Sequence, residues 1–257
     1  MSNKNPNVVL MVEQKIKFND FIKALKDDWN YECKYEISNQ SKFTSYSFDY
    51  NGIVVLFSEF NSRFPEDIEE DIEESEYGIE LEEIYKNHTN FWFISVVERS
   101  EDDLRKVYAL FTRIVMSMLN ACGKSIVYDI TSKLAIQSDV YMQMYDNMQQ
   151  WYKQNEWIFP VDWYVAIQVY EDEGKLNAFT QGFEVFNDYE IEIYNKSISY
   201  EELVNIIRFI VINVISRDDK INSMDTLSVP IDGGYKEAIV KKTKSEILDI
   251  ETLVIIF

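Results

Sequence analysis

The chain has 257 residues, 45 of them acidic and 25 basic, for a formal net charge of −20. That charge opposes binding to nucleic-acid phosphates, which requires Lys and Arg to replace counterions. Seven Gly and four Pro exclude collagen-like and low-complexity architectures, while one His and two Cys leave little material for zinc sites or a disulfide framework.

In chain order, a polar start gives way to the apolar run Val8–Val12, read as a short buried strand and too short for the core of a secretory leader. Asn19 is placed to cap a helix reaching Trp29, with Phe21, Leu25 and Trp29 four apart on one face. Phe43–Tyr50 and Ile53–Phe60 flank Asn51-Gly52, a pair that supplies the positive φ angles of a type I′ hairpin turn. From Glu66 to Glu83 there are eleven acids and no base, with a thin apolar edge of Ile68, Ile72 and Ile79 at roughly helical spacing. Phe91–Glu98 reads as a buried strand. Ser100-Glu-Asp-Asp103 then fits a capping box for a long helix, with Gly123 at its C-cap and a strand, Ser125–Asp129, beyond it. Tyr141–Trp157 is loosely amphipathic, and Val161–Tyr170, Ala178–Phe186 and Tyr189–Tyr194 read as strands. A second capping box, Ser199-Tyr-Glu-Glu202, opens a helix with Leu203, Ile206, Ile207, Ile210 and Val214 on one face. Strands at Thr226–Val229, Glu237–Lys241 and Thr252–Phe257 close the chain.

This order predicts an α+β fold with antiparallel-rich mixed sheets covered by two principal amphipathic helices, Ser100–Cys122 and Ser199–Ser216. Two α+β halves, 1–130 with the acidic segment 66–83 and 131–257, are expected to pack as one unit. The apolar stretches around Phe209–Ile215 and Leu253–Phe257 fall far short of the roughly 20 residues that span a bilayer, so a cytoplasmic location is expected. Cys33 and Cys122 read as buried free thiols.

Catalytic signatures are sparse. Cys122-Gly-Lys-Ser125 imitates the end of a phosphate loop, but Met118 stands where that motif needs Gly, and the sequence follows a helix instead of opening one. His88, the sole imidazole, is placed in a loop ahead of a strand. No catalytic, metal or cofactor residue is assigned, although so many carboxylates leave a pair suited to an acidic hydrolase open. Seven aromatics (Trp151, Tyr152, Trp157, Phe159, Trp163, Tyr164 and Tyr170) either line a small-ligand or carbohydrate pocket or pack into the core. The acidic run is either a solvated surface or a recognition surface formed by Glu66, Asp67, Glu69, Glu70, Asp71, Glu73 and Glu74.

Several stretches occur in the order found in a bacterial family catalogued as domain of unknown function 4261. They are Phe91-Trp-Phe-Ile-Ser-Val-Val97 with the helix that follows, Ile126-Val-Tyr128, Pro160-Val-Asp-Trp163, Phe179-Thr-Gln-Gly-Phe183, Phe186, Glu190-Ile-Glu-Ile193, Asp225-Thr226 and Lys244-Ser245. Over residues 85–257 the chain resembles that family, with Met224 standing where the family has Gly. The resemblance implies an α+β fold and a bacterial cytoplasmic context but no reaction. Taken together, these readings predict a non-enzymatic, immunity-like protein that binds a basic protein partner, with a small-ligand or carbohydrate binder, or an acidic hydrolase, as the alternative.

Overall fold

Apolar side chains at every second position from Ile53 to Phe57 face inward, the pattern of a half-buried strand. The computed structural model describes residues 4–32, 34–77, 80–100, 103–217, 219–231, 233–245 and 247–257. Cys33, Ile79 and the middle of the first capping box lie outside these. Contacts divide the chain into two units, one of Asn5–Trp163 and one of Tyr164–Phe257 with Lys4, so the division falls at 163/164 where 130/131 was expected. The reason is local: the strand after residue 130 turns back to pair with the one before it.

The first unit runs β1 (Asn7–Val12), α1 (Phe18–Trp29), β2 (Tyr35–Asn39), β3 (Phe43–Tyr50), β4 (Ile53–Phe60), α2 (Glu69–Glu73), α3 (Leu81–Asn87), β5 (Asn90–Arg99), α4 (Leu104–Asn120), β6 (Ser125–Asp129), β7 (Leu134–Gln137), α5 (Ser138–Met142) and α6 (Tyr145–Lys153). Its strands form one antiparallel sheet in the order β2-β3-β4-β5-β1-β6-β7. β5 and β6 both lie antiparallel to β1, so α4 crosses between two parallel strands with β1 inserted between them. Asn51 and Gly52 take φ of 53° and 82° in the β3–β4 turn. A Cβ on Gly52 would lie 2.2 Å from Ser100 Oγ, so both conformation and space demand glycine there.

α4 is buried continuously from Val107 to Leu119 and packs on α1, where Trp29 Nε1 donates to Ser117 Oγ at 2.9 Å. It begins later than expected. Asp103 is itself the N-cap, accepting from the Arg105 N–H, while Ser100 N–H donates to Gly52 carbonyl at the hairpin. It also ends at Ala121 rather than at Gly123. α1 starts at Phe18 with Lys17 as N-cap, so Asn19 lies inside the first turn. The loosely amphipathic stretch Tyr141–Trp157 falls on two short helices, α5 and α6, which span Ser138–Met142 and Tyr145–Lys153.

The second unit comprises β8 (Ala166–Asp172), β9 (Lys175–Gln181), α7 (Glu184–Asn187), β10 (Glu190–Lys196), α8 (Tyr200–Arg217), β11 (Thr226–Ile231), β12 (Gly234–Lys244) and β13 (Glu251–Ile256). The sheet order is β11-β12-β13-β10-β9-β8, with β10–β13 its parallel pair. α8 packs on β8, β9 and β11 through Leu203, Ile206, Ile207, Ile210 and Val214, and Ser199 Oγ caps it by accepting from Glu202 N–H at 3.1 Å. The fold is α+β with two antiparallel-rich sheets, and no described helix is long and apolar enough to cross a membrane.

Candidate functional site

The acidic segment folds as α2 and α3 and is held from beneath. Ile68, Ile72, Leu81, Ile84 and Tyr85 are buried against Val9, Met11, Phe91, Ile126 and Tyr128 of the sheet. With Ile68, Ile72, Leu81, Ile84 and Tyr85 turned inward, the segment presents acids outward. Nine of the eleven are exposed, including Glu66, Asp67, Glu69, Glu70, Glu73 and Glu74. Asp71 differs: it is half-buried and accepts from Tyr128 OH at 2.6 Å, so it belongs to the footing of the surface. Burial and the Asp71 carboxylate together raise the Tyr128 pKa. Glu82 pairs with Lys86 at 2.9 Å and Glu80 pairs with Lys124, so the Lys of the Gly-Lys-Ser sequence serves as an ion-pair partner.

His88 ends α3 and is 1% exposed. Its Nε2 accepts from Phe64 N–H at 2.9 Å and its Nδ1 faces Tyr85 carbonyl, so the neutral Nδ1–H tautomer satisfies both neighbours. Burial lowers its pKa, and the ring ties the loop before α2 to the end of α3. Asp129, 3% exposed, accepts from Thr131 N–H, Ser132 N–H and Ser132 Oγ, while burial pushes its pKa up to about 6.

Two acids of β10 are buried in the second unit. Glu190 accepts from Thr180 Oγ1 at 2.6 Å, Gly182 N–H at 2.7 Å and Phe183 N–H at 3.1 Å. Gly182 takes φ of 93°, which turns its amide onto the carboxylate. Burial raises the Glu190 pKa, and the Thr180 hydroxyl opposes the rise. Glu192, 0% exposed, accepts from Tyr194 OH, Ser245 Oγ and Thr252 Oγ1. Each carboxylate has its lone pairs engaged by protein donors, an arrangement that fixes strand ends.

The aromatic run divides at the unit boundary: Trp151 to Trp163 lie in the first unit, Tyr164 and Tyr170 in the second. Trp163 stacks on Tyr141 at 3.9 Å and Phe159 meets Tyr108 at 5.4 Å. Tyr152 and Trp157 lie 5.0 and 5.1 Å from the buried guanidinium of Arg113, with Trp29 at 5.8 Å. The cage therefore encloses a cation of the chain itself. Arg113 donates to Tyr31 OH at 3.3 Å and to Glu156 carbonyl at 2.9 Å.

One feature was not read from the sequence. A groove of about 730 Å³ lies between the start of α1 and the face of β2–β4, lined by Lys15, Phe18, Tyr35, Tyr46 and Glu59 among others. Glu59 is 4% exposed, and its Oε1 has no hydrogen-bond donor. Lys15 Nζ stands 3.0 Å away as an ion pair, out of line for a hydrogen bond. Its place in the row Ile53, Val55, Phe57, Glu59 was the available signal, since alternation puts this acid on the buried side. Among the described residues, no group of three His, Cys, Asp or Glu side chains is placed to hold a metal ion. Comparisons with protein-family models, curated proteins and solved structures returned no match.

Proposed function

We propose that this protein is a non-enzymatic binding protein that receives a basic protein partner on the exposed face of α2 and α3, as a cytoplasmic immunity protein receives its toxin. The observation that carries this reading is the anchoring of the acidic segment: Ile68, Ile72, Leu81 and Ile84 hold it to the sheet, so Glu66, Asp67, Glu69, Glu70, Glu73 and Glu74 stand as an array on a packed base. An array of one sign steers a cationic partner and raises its association rate, and salt with a Debye length of about 8 Å screens the effect. Asp71 contributes charge from below while its carboxylate stays bonded to Tyr128. Kinship with domain of unknown function 4261 belongs to the same proposal and rests on the stretches quoted above.

The test replaces Glu69, Glu70, Glu73 and Glu74 with Lys in the full chain. With a partner captured from the native cell, the association rate should fall at low salt and lose most of its salt dependence, while the melting temperature stays near that of the parent. Equal association rates for parent and variant at low salt would remove the acidic face from the reading.

A further inference from the structure

The first unit buries a carboxylate, Glu59, whose partner is the exposed, misaligned ammonium of Lys15, and Glu59 lines a groove. Glu59 and Trp92 occupy directly opposed positions of β4 and β5; Trp92 Nε1 lacks a hydrogen-bond partner, and Glu59 Oε1 has only the ion pair to Lys15 at 3.0 Å. Buried polar atoms without aligned partners are uncommon because each carries a desolvation cost, so an acceptor held only by a misaligned, exposed lysine beside a groove marks a place for a better donor. The walls next to it are aromatic. Phe18 stacks on Tyr46 at 3.8 Å and meets Tyr35 edge-on at 5.2 Å, and Tyr46 stacks on Trp92 at 5.8 Å. Such walls suit the apolar body of a ligand, and a buried carboxylate suits a cationic head.

We propose that this groove binds an organic ammonium ion, a small amine whose charged head hydrogen-bonds Glu59 and whose carbon skeleton lies along the Phe18–Tyr46–Tyr35 wall. Lys15 is the stand-in. Its own ammonium rests 3.0 Å from Glu59 Oε1, which shows the charge that the carboxylate takes. The Lys15 side chain is 61% exposed and misaligned, so an incoming ammonium displaces it into water at small cost. The ligand gains a charge-assisted hydrogen bond that Lys15 does not make. This site is independent of the acidic face of α2 and α3.

The probe is phenethylammonium, titrated into the full chain and followed by amide NMR, with phenylacetate and 2-phenylethanol as anionic and neutral controls of the same shape. Phenethylammonium should shift signals of residues 15–20, 35, 44–46 and 59 saturably, and bind about tenfold or more tightly than either control. Glu59→Gln should remove that preference at an unchanged melting temperature. Lys15→Ala, which deletes the internal competitor, should tighten ammonium binding severalfold. A purely structural ion pair predicts no such gain, which makes this variant decisive even if Glu59→Gln fails to fold. The proposal is overturned if no probe saturates, leaving a groove that holds only water. It is equally overturned if either control binds as tightly as the amine, or if Lys15→Ala leaves ammonium affinity unchanged or weaker.

Discussion

Glu190 and Glu59 are almost equally buried, at 3% and 4% exposure, yet they sit in opposite circumstances. Glu190, at the end of a short connection in the second unit, gathers one hydroxyl and two backbone amides. Glu59, in the middle of a sheet face in the first, gathers no hydrogen bond on Oε1 and faces a groove. Burial alone therefore says little about an acid. What separates a structural carboxylate from one free to meet a ligand is the number of donors the fold has already aimed at it.

The sharpest way to break this contrast is Glu190→Ala. It strands the Thr180 hydroxyl and the Gly182 and Phe183 amides, and should cost about 3–5 kcal/mol in urea unfolding; a loss under about 1 kcal/mol would contradict the assignment. Next comes His88→Ala, expected to cost about 2–3 kcal/mol at pH 7.5 because Phe64 N–H loses its acceptor. His88 also supplies a pH signature, opposite in sign to that of Asp129, whose pKa burial raises to about 6. Its folded pKa is lowered from 6.5 by burial, so the unfolded chain binds the proton first as pH falls. The stabilisation is complete above about pH 6.5 and is lost as pH drops through the folded value. The His88→Ala variant should lack that component, read as a smaller difference in unfolding free energy between pH 7.5 and 5.

A backbone version of the contrast is Met224, 79% exposed with φ of 77°, where a side chain gains no packing and strains the turn. Met224→Gly should raise stability by up to about 1 kcal/mol, a shift of the denaturation midpoint at unchanged slope. The smallest effect belongs to Glu59→Gln. With only an exposed Lys15 to lose, it should change stability by less than about 0.5 kcal/mol in either direction. A cost like that of Glu190→Ala would erase the distinction.

Much of this was legible in the chain. Asn51-Gly52 specified its hairpin because few residues accept two positive φ angles in succession, and the α8 face followed from the spacing of Leu203 to Val214. β2 was not legible: all five of its residues are exposed, so burial imposes no alternation on Tyr35–Asn39. The acidic face was visible as composition, but its footing was only half visible, because Leu81, Ile84 and Tyr85 reach the sheet through a second helix. Glu59 stood in an inward row and was readable in principle. Its groove was not, because Lys15, Phe18 and Tyr35 are brought to it by sheet order rather than by sequence spacing.

The position of β1 has a consequence for how the chain is made. Val8 pairs with Ile94 on one side and Asp129 on the other, so β1, an interior strand of the first sheet, has no neighbour until β5 has left the ribosome and only one until β6 follows. At about 5–20 residues per second, Val8–Val12 waits on the order of 10 s as an unpaired apolar segment. Hairpins such as β3–β4 form within microseconds of emerging, whereas β1 waits for partners far along the chain. For that interval Val8–Val12 is an exposed apolar segment of the kind that chaperones shield.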